Sequence, residues 1–141
     1  LTDSGVLMLM QTKLGSQYQS FSADGGATWS SPEPSQLAGT AAPVAISRIP
    51  TTGHLLAIWN HNPGTADAQN RNRNPLTAAI SRDEGKTWEG FRNIEEAPDD
   101  AWAYPAVTWL NNEALLTYFN YTGGHSLQLK HLPAAWFYGG E

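Results

Sequence analysis

The sequence of 141 residues contains no cysteine, which excludes a disulfide framework and a thiolate metal site. Charged residues make up only 15% of the chain, below the roughly 25% usual for globular domains. The net charge is −5 with eight Lys and Arg in total, so a nucleic-acid partner is not expected. No apolar run approaches the roughly 18 residues of a membrane helix. The four histidines lack metal-ligand spacing with a carboxylate, so neither a metal nor a cofactor is predicted.

Turn-forming and aromatic residues are abundant instead. The chain has 13 Gly and nine Pro together with six Trp, five Tyr and four Phe. This composition is typical of many short strands joined by turns, and no segment has the pattern of a long amphipathic helix. The sequence therefore predicts an all-β protein.

One eight-residue pattern, S-x-D-x-G-x-T-W, occurs twice, at residues 22–29 and 81–88. Each copy lies between strand-like runs, which indicates a hairpin turn closed by the Asp carboxylate and by a Gly in a conformation that side chains disfavour. Repeated turns at such a period are typical of a stacked or radial repeat architecture. The positions assigned to this turn structure are Ser22, Asp24, Gly26, Thr28, Trp29, Ser81, Asp83, Gly85, Thr87 and Trp88.

Turn signals divide the chain into three units, at about 1–40, 41–100 and 101–141. The second is expected to form four antiparallel strands, at 43–49, 54–60, 76–82 and 88–94. The third is also expected to form four, at 104–110, 113–121, 126–132 and 135–138. The first has three strands. Four antiparallel strands are the content of one propeller blade, so we expect about three blades in a single domain.

The repeated pattern resembles the Asp-box, or BNR repeat, of the sialidase (neuraminidase) superfamily. Segments 5–15, 49–60, 76–88 and 136–138 are also similar to bacterial sialidase-like proteins. The whole chain resembles their carboxy-terminal half, blades four to six of a six-bladed β-propeller. In that family the Asp-box is a structural turn on the outer part of the blade.

The resemblance implies a glycoside hydrolase that acts on sialosides. Its substrate carries a carboxylate on the anomeric carbon, so a Tyr activated by a Glu replaces the usual carboxylate nucleophile. Tyr104 matches the nucleophile, and Arg73 matches an Arg that binds the substrate carboxylate through its guanidinium fork. Gln11 stands where similar proteins often have another such Arg. The partner Glu would fall before Leu1, so the resemblance implies an incomplete catalytic set in this chain.

Three hypotheses follow. In the first, the chain is a sialidase-like half that works in a longer chain or an assembled ring. In the second, it is a non-catalytic propeller that binds a glycan or a protein through a tryptophan platform. In the third, it is a structural assembly module.

Three blades leave sheet faces uncovered, so we expect a homo-oligomer, most simply a dimer that completes a six-bladed ring, unless the chain is a fragment of a longer protein. The acidic cluster of 95–100 is expected to be solvated or to reach the central face, and Arg48 is expected at the surface. The platform residues are Trp59, Trp102, Trp109 and Trp136.

Overall fold

The computed structural model describes residues 5–63, 73–122 and 124–140. These residues form ten strands and one 3₁₀ helix, and they contain no α-helix. The first strands are β1 (Val6–Met10), β2 (Ser16–Ser22) and β3 (Glu33–Ala38). They are followed by β4 (Ala45–Arg48), β5 (Leu55–Trp59), β6 (Leu76–Ser81) and β7 (Glu89–Glu95). The last are β8 (Trp102–Leu110), β9 (Glu113–Asn120) and β10 (Ser126–Pro133), and the 3₁₀ helix covers Ala134–Tyr138.

The strands form three antiparallel sheets, ordered β1-β2-β3, β4-β5-β6-β7 and β8-β9-β10. Neighbouring strands in each sheet are consecutive in sequence, as expected for hairpin-linked units. The predicted all-β class is confirmed. The domain boundaries stay a prediction, although the sheets use residues 6–38, 45–95 and 102–133.

The third sheet has one strand fewer than expected. The segment 135–138 was predicted to be a strand, and this prediction is wrong because the segment belongs to the 3₁₀ helix. Gly139 ends that helix with a φ of 89°, and its N–H donates to the Trp136 carbonyl at 3.2 Å. Phe137 is buried, and the helix packs against β6 and β7. Local turn bonds and this burial therefore replace pairing with β10.

The second sheet is covered on both faces, so every residue of β5 and β6 is buried. Because side chains alternate along a strand, Leu56 and Ile58 face the third sheet and pack near Leu116. Leu55, Ala57 and Trp59 face the first sheet and pack near Leu7 and Leu9, which are partly buried. The apolar runs in the sequence are therefore the two-sided core of a stack of three sheets.

Both S-x-D-x-G-x-T-W segments form the same turn, between β2 and β3 and between β6 and β7. Asp24 accepts from the Thr28 N–H at 2.8 Å, the Thr28 hydroxyl at 2.7 Å and the Ser22 hydroxyl at 2.8 Å. Asp83 accepts the corresponding bonds from the N–H of Thr87 at 2.8 Å and from its hydroxyl at 2.6 Å. The Ser hydroxyl accepts from the N–H of the box Gly at 2.8 Å in both copies. Each box thus closes on its own side chains.

The hydrogen bonds of the boxes favour the ionised carboxylates. The side-chain and backbone bonds from Thr28, and then the bond from Ser22, lower the pKa of Asp24. At Asp83, desolvation raises the pKa, but the hydrogen bonds from Thr87 and Ser81 together outweigh it and lower the pKa.

The second box differs from the first because it lies between two sheets. A Cβ added to Gly85 would meet the Leu7 side chain of β1. The Trp88 backbone N–H donates to Gln36 of β3 at 2.6 Å. Trp88 is 5% exposed, whereas Trp29 in the first box is 37% exposed. The second box therefore contributes to the contact between the first two sheets.

Candidate functional site

Arg73 and Tyr104 lie next to each other where the second and third sheets meet. The Arg73 guanidinium carbon is 5.3 Å from the centre of the Tyr104 ring and 5.8 Å from that of Tyr121. Arg73 precedes β6, Tyr104 lies near the start of β8, and Tyr121 follows β9. One cation therefore covers two phenol rings, a geometry within the range of cation–π attraction.

Asn60 holds the backbone of this site together. Its side chain is buried at 1% exposure at the end of β5. Its amide nitrogen donates to three carbonyls, those of Arg73 at 2.8 Å, Pro75 at 3.2 Å and Trp102 at 3.1 Å. The Trp102 N–H also donates to the Arg73 carbonyl at 2.9 Å. These bonds fix the segment that carries Arg73 to the segment that begins β8.

A break in strand pairing turns Tyr104 toward solvent. The β8–β9 register shifts between Ala103 and Ala106, so Tyr104 lies within a bulge. Its φ is 54°, which is uncommon for a residue other than glycine, and strain of this kind is frequent at functional sites. Tyr104 is 58% exposed. The phenol is therefore accessible to a ligand, although the backbone beneath it is held firmly.

The electrostatics of the site favour negative charge on Tyr104. A hydrogen bond from Tyr121 and then the charge of Arg73 lower the pKa of Tyr104. The hydrogen bond to Tyr104 raises the pKa of Tyr121, with burial acting in the same direction. Within the ranges that the structure describes, Nη1 of Arg73 is buried without a hydrogen-bond partner. The positive charge of Arg73 beside the exposed Tyr104 phenol makes the site suited to an anionic oxygen.

A cluster of aromatic rings extends from this pair. The Phe119 and Tyr121 ring centres are 4.9 Å apart, and His125 lies 6.2 Å from Tyr121 and 6.1 Å from Phe119. His125 is exposed and Phe119 is partly buried. The cluster gives the cationic site an aromatic border in which the rings meet edge to face.

The other predicted site residues are not brought into this contact. Gln11 is exposed directly after β1, and among the described residues no hydrogen bond joins it to Arg73 or Tyr104. Within the acidic cluster, Glu95 is bonded by Tyr118 and pairs with Lys130 at 2.6 Å. Glu96 accepts from Asn93 at 2.6 Å. These two carboxylates act in contacts within the fold.

The tryptophan platform is wrong as a prediction. Trp59 and Trp102 are buried in the core at 0% and 3% exposure. Trp109 is partly buried and donates to the Ser47 hydroxyl at 3.0 Å. Trp136 lies beneath the guanidinium of Arg92, 4.2 Å from ring centre to guanidinium carbon. The exposed rings beside the site are tyrosine, phenylalanine and histidine.

Arg48, which was expected at the surface, has a side chain that is 35% exposed and takes part in an ion pair. Its guanidinium donates to both carboxylate oxygens of Glu84, at 3.0 and 2.9 Å, and also to the Gly53 carbonyl. Arg48 thus joins the β4–β5 turn to the second box. This pair stabilises the fold and lies outside the candidate site.

Sequence reasoning missed Asn60 and Tyr121. A usable signal existed for Tyr121, because continuing the hairpin register set by Leu110 opposite Glu113 brings residues 119–121 beside Tyr104. No comparable signal existed for Asn60, whose partners lie in distant segments.

No three metal-binding side chains come together in the ranges that the structure describes. Within the same ranges, no helix has both the length and the apolar character needed to cross a membrane.

Comparison with known proteins gives a family and two similar structures. The family model described as a BNR repeat-like domain matches residues 1–117. No curated protein matches the chain. The leech intramolecular trans-sialidase, solved with 2,7-anhydro-Neu5Ac, superposes with a TM-score of 0.72 and 14% identity, over 94% of this chain and 22% of that chain. The intramolecular trans-sialidase from Ruminococcus gnavus, solved with oseltamivir carboxylate, gives a TM-score of 0.67 and 16% identity, over 92% and 30%. The chain therefore spans under a third of either structure, and these likenesses concern the fold.

Proposed function

We propose that this chain, which belongs to the BNR repeat-like domain family with a sialidase-like fold, binds the carboxylate of a sialic-acid-type sugar at Arg73, with Tyr104 facing the anomeric carbon. One observation carries the proposal: the Arg73 guanidinium lies 5.3 Å from the ring centre of Tyr104, whose side chain is exposed. A carboxylate bound beside the exposed phenol would be attracted by this guanidinium. The similar structures, both described as trans-sialidases, support the sugar class.

Tyr104 is the group suited to attack in a hydrolase reaction. A phenolate avoids the repulsion that a carboxylate nucleophile would meet from the substrate carboxylate. Among the described residues, the groups that act on the Tyr104 phenol are Tyr121 and Arg73, and neither is a carboxylate. The chain therefore supplies a nucleophile and an anion ligand. An acid elsewhere in a completed site is needed for a sialoside with a poor leaving group, but much less for a fluorogenic one whose phenol leaves readily.

A fluorogenic sialoside tests the hydrolase role. If Tyr104 is a nucleophile, the wild-type chain releases the fluorophore above the buffer rate and Tyr104→Phe does not. Equal rates for the two proteins, or no rate above buffer, would remove hydrolysis from the proposal and leave carboxylate binding.

We also propose that the three sheets are three blades of a six-bladed ring that a second copy completes. The outward face of the third sheet supports this. It exposes Leu110 at 55%, Leu127 at 73% and Leu129 at 64%, and the first sheet exposes Met8 at 38%. Apolar sheet faces of this kind are usually covered by a partner. Light scattering should give twice the monomer mass, and a soluble monomer would contradict the dimer.

A non-catalytic role in glycan binding is the second candidate. The rings of Tyr104, Tyr121, Phe119 and His125 favour it, since sugar faces stack on aromatic rings. Binding of neutral glycans on an array, unchanged in Arg73→Gln, would favour this role over recognition of an acidic sugar.

A further inference from the structure

Tyr121 is held beside Tyr104 by the backbone. Its N–H donates to the Ala101 carbonyl at 2.9 Å, which fixes the residue after β9 against the start of β8. The ring centres of the two tyrosines are 6.3 Å apart, with planes tilted by 59°. The Arg73 guanidinium lies over both rings. Tyr121 therefore belongs to the same contact as the two residues that carry the proposed function.

A phenol that attacks as an anion needs groups that stabilise its charge. Hydrogen bonds donated to the charged form of an acid favour that form, and so does a nearby cation. Arg73 supplies the cation. Two carboxylates near β8 and β9 are engaged elsewhere, Glu95 by Tyr118 and Lys130 and Asp100 by Thr122. Among the described residues, the hydroxyl of Tyr121 is the neutral donor beside the phenol.

We propose that Tyr121 is a positioning residue for Tyr104: its hydroxyl donates a hydrogen bond to the Tyr104 phenolic oxygen and holds that oxygen in the anionic form beside Arg73. The purpose of this bond rests on the proposed function, since only a nucleophile needs it. The two tyrosines lie side by side without any sugar, so the bond can be tested alone.

The two phenols play unequal parts. The bond from Tyr121 and then the charge of Arg73 lower the pKa of Tyr104, whereas the bond to Tyr104 raises the pKa of Tyr121. In the proposed arrangement Tyr104 loses its proton first, and Tyr121 keeps its proton as donor. Among the described residues, the charged and titratable groups around the pair are Arg73 before β6, His125 before β10 and Asp100 before β8. The His125 ring contacts Tyr121, and Asp100 is reached through Thr122.

Titration of the chain with ¹³Cζ-labelled tyrosine, followed by NMR without a ligand, tests the proposal. Loss of one resonance in Tyr104→Phe and of another in Tyr121→Phe assigns the two phenols. In the wild type, Tyr104 should titrate below the roughly 10 of free tyrosine. In Tyr121→Phe its midpoint should move upward. Tyr138→Phe is the matched control, because the Tyr138 hydroxyl contacts Thr52 and His54, each at 2.8 Å, away from the site. The same Tyr104 midpoint in both variants would overturn the proposal.

A reciprocal measurement keeps the test decisive if Tyr121→Phe does not fold. Coupled groups shift each other in both directions, so Tyr104→Phe should lower the midpoint of Tyr121. An unchanged Tyr121 midpoint would also overturn the proposal. The result of this titration can be distinguished from the result of the tests of the proposed function. A shifted pair with no sialoside binding removes the function alone, and sialoside binding with unshifted phenols removes the role of Tyr121 alone.

Discussion

The Arg73 backbone carbonyl and the Asn60 amide nitrogen are 2.8 Å apart, and the same nitrogen also contacts the Trp102 carbonyl. The end of β5 therefore sets the distance between Arg73 and Tyr104, two residues that no strand pairing joins. The arrangement of the candidate site depends on this buried amide.

Replacement of Asn60 should affect both stability and binding. Asn60→Ala removes the side-chain hydrogen bonds to the carbonyls of Arg73, Pro75 and Trp102, and we expect a loss of about 1–3 kcal/mol in the free energy of unfolding. Binding of sialic acid should weaken as well, because the Arg73 segment loses its attachment to β8. Urea unfolding and calorimetric titration measure the two effects.

Gln17→Ala is the control for Asn60→Ala. Gln17 is also fully buried, and its amide donates to the Ala42 carbonyl at 2.8 Å in the first sheet. It should reduce stability without reducing affinity. Equal losses of affinity in both variants would show that Asn60 affects binding through general stability.

The tryptophans of the two boxes should differ in their contribution to stability. Trp88 is 5% exposed and Trp29 is 37% exposed. We expect Trp88→Ala to cost about 3–5 kcal/mol of unfolding free energy, as for other buried aromatic residues. Trp29→Ala should cost much less. Similar costs, measured by chemical denaturation, would contradict the placement of the second box between the sheets.

The glycines of the boxes give a second matched pair. Gly26 has a φ of 99°, and an added Cβ would make only an ordinary contact with the Trp29 ring at 3.6 Å, so Gly26→Ala should cost only backbone strain, about 1–2 kcal/mol. Gly85 has a φ of 89°, and its Cβ would also collide with Leu7. Gly85→Ala should therefore lower the melting temperature further than Gly26→Ala. The reverse order would contradict the contact between the box and β1.

The box aspartates should make the stability of the fold depend on pH. Their pKa values are lowered on folding, so their contribution is complete above the unfolded value of about 4 and is lost as the pH falls through the folded values. The double variant Asp24→Asn, Asp83→Asn should show a flatter dependence of the urea midpoint on pH in that range. Identical pH profiles for the two proteins would contradict this role.

Sequence reasoning was accurate where the contacts are local. The boxes form their turns from side chains within eight residues, and turn signals placed strands at 54–60 and 76–82, where the structure has β5 and β6. It was wrong where a distant contact decides the outcome, since the burial of Phe137 against β6 and β7 gives a 3₁₀ helix in place of a strand. The resemblance identified both Arg73 and Tyr104 as site residues. The third residue of the site, Tyr121, is brought there by the register of β8 and β9, which the resemblance did not include.

The most direct test of the central claim is calorimetric titration with N-acetylneuraminic acid and, separately, with its methyl ester, which lacks the negative charge. The wild-type chain should bind the acid and bind the ester more weakly, because Arg73 recognises a carboxylate. Arg73→Gln should lose this preference, whereas Arg82→Gln, which removes a guanidinium 5.4 Å from the Tyr138 ring, should keep it. Equal binding of acid and ester by the wild type, or an unchanged preference in Arg73→Gln, would contradict the account.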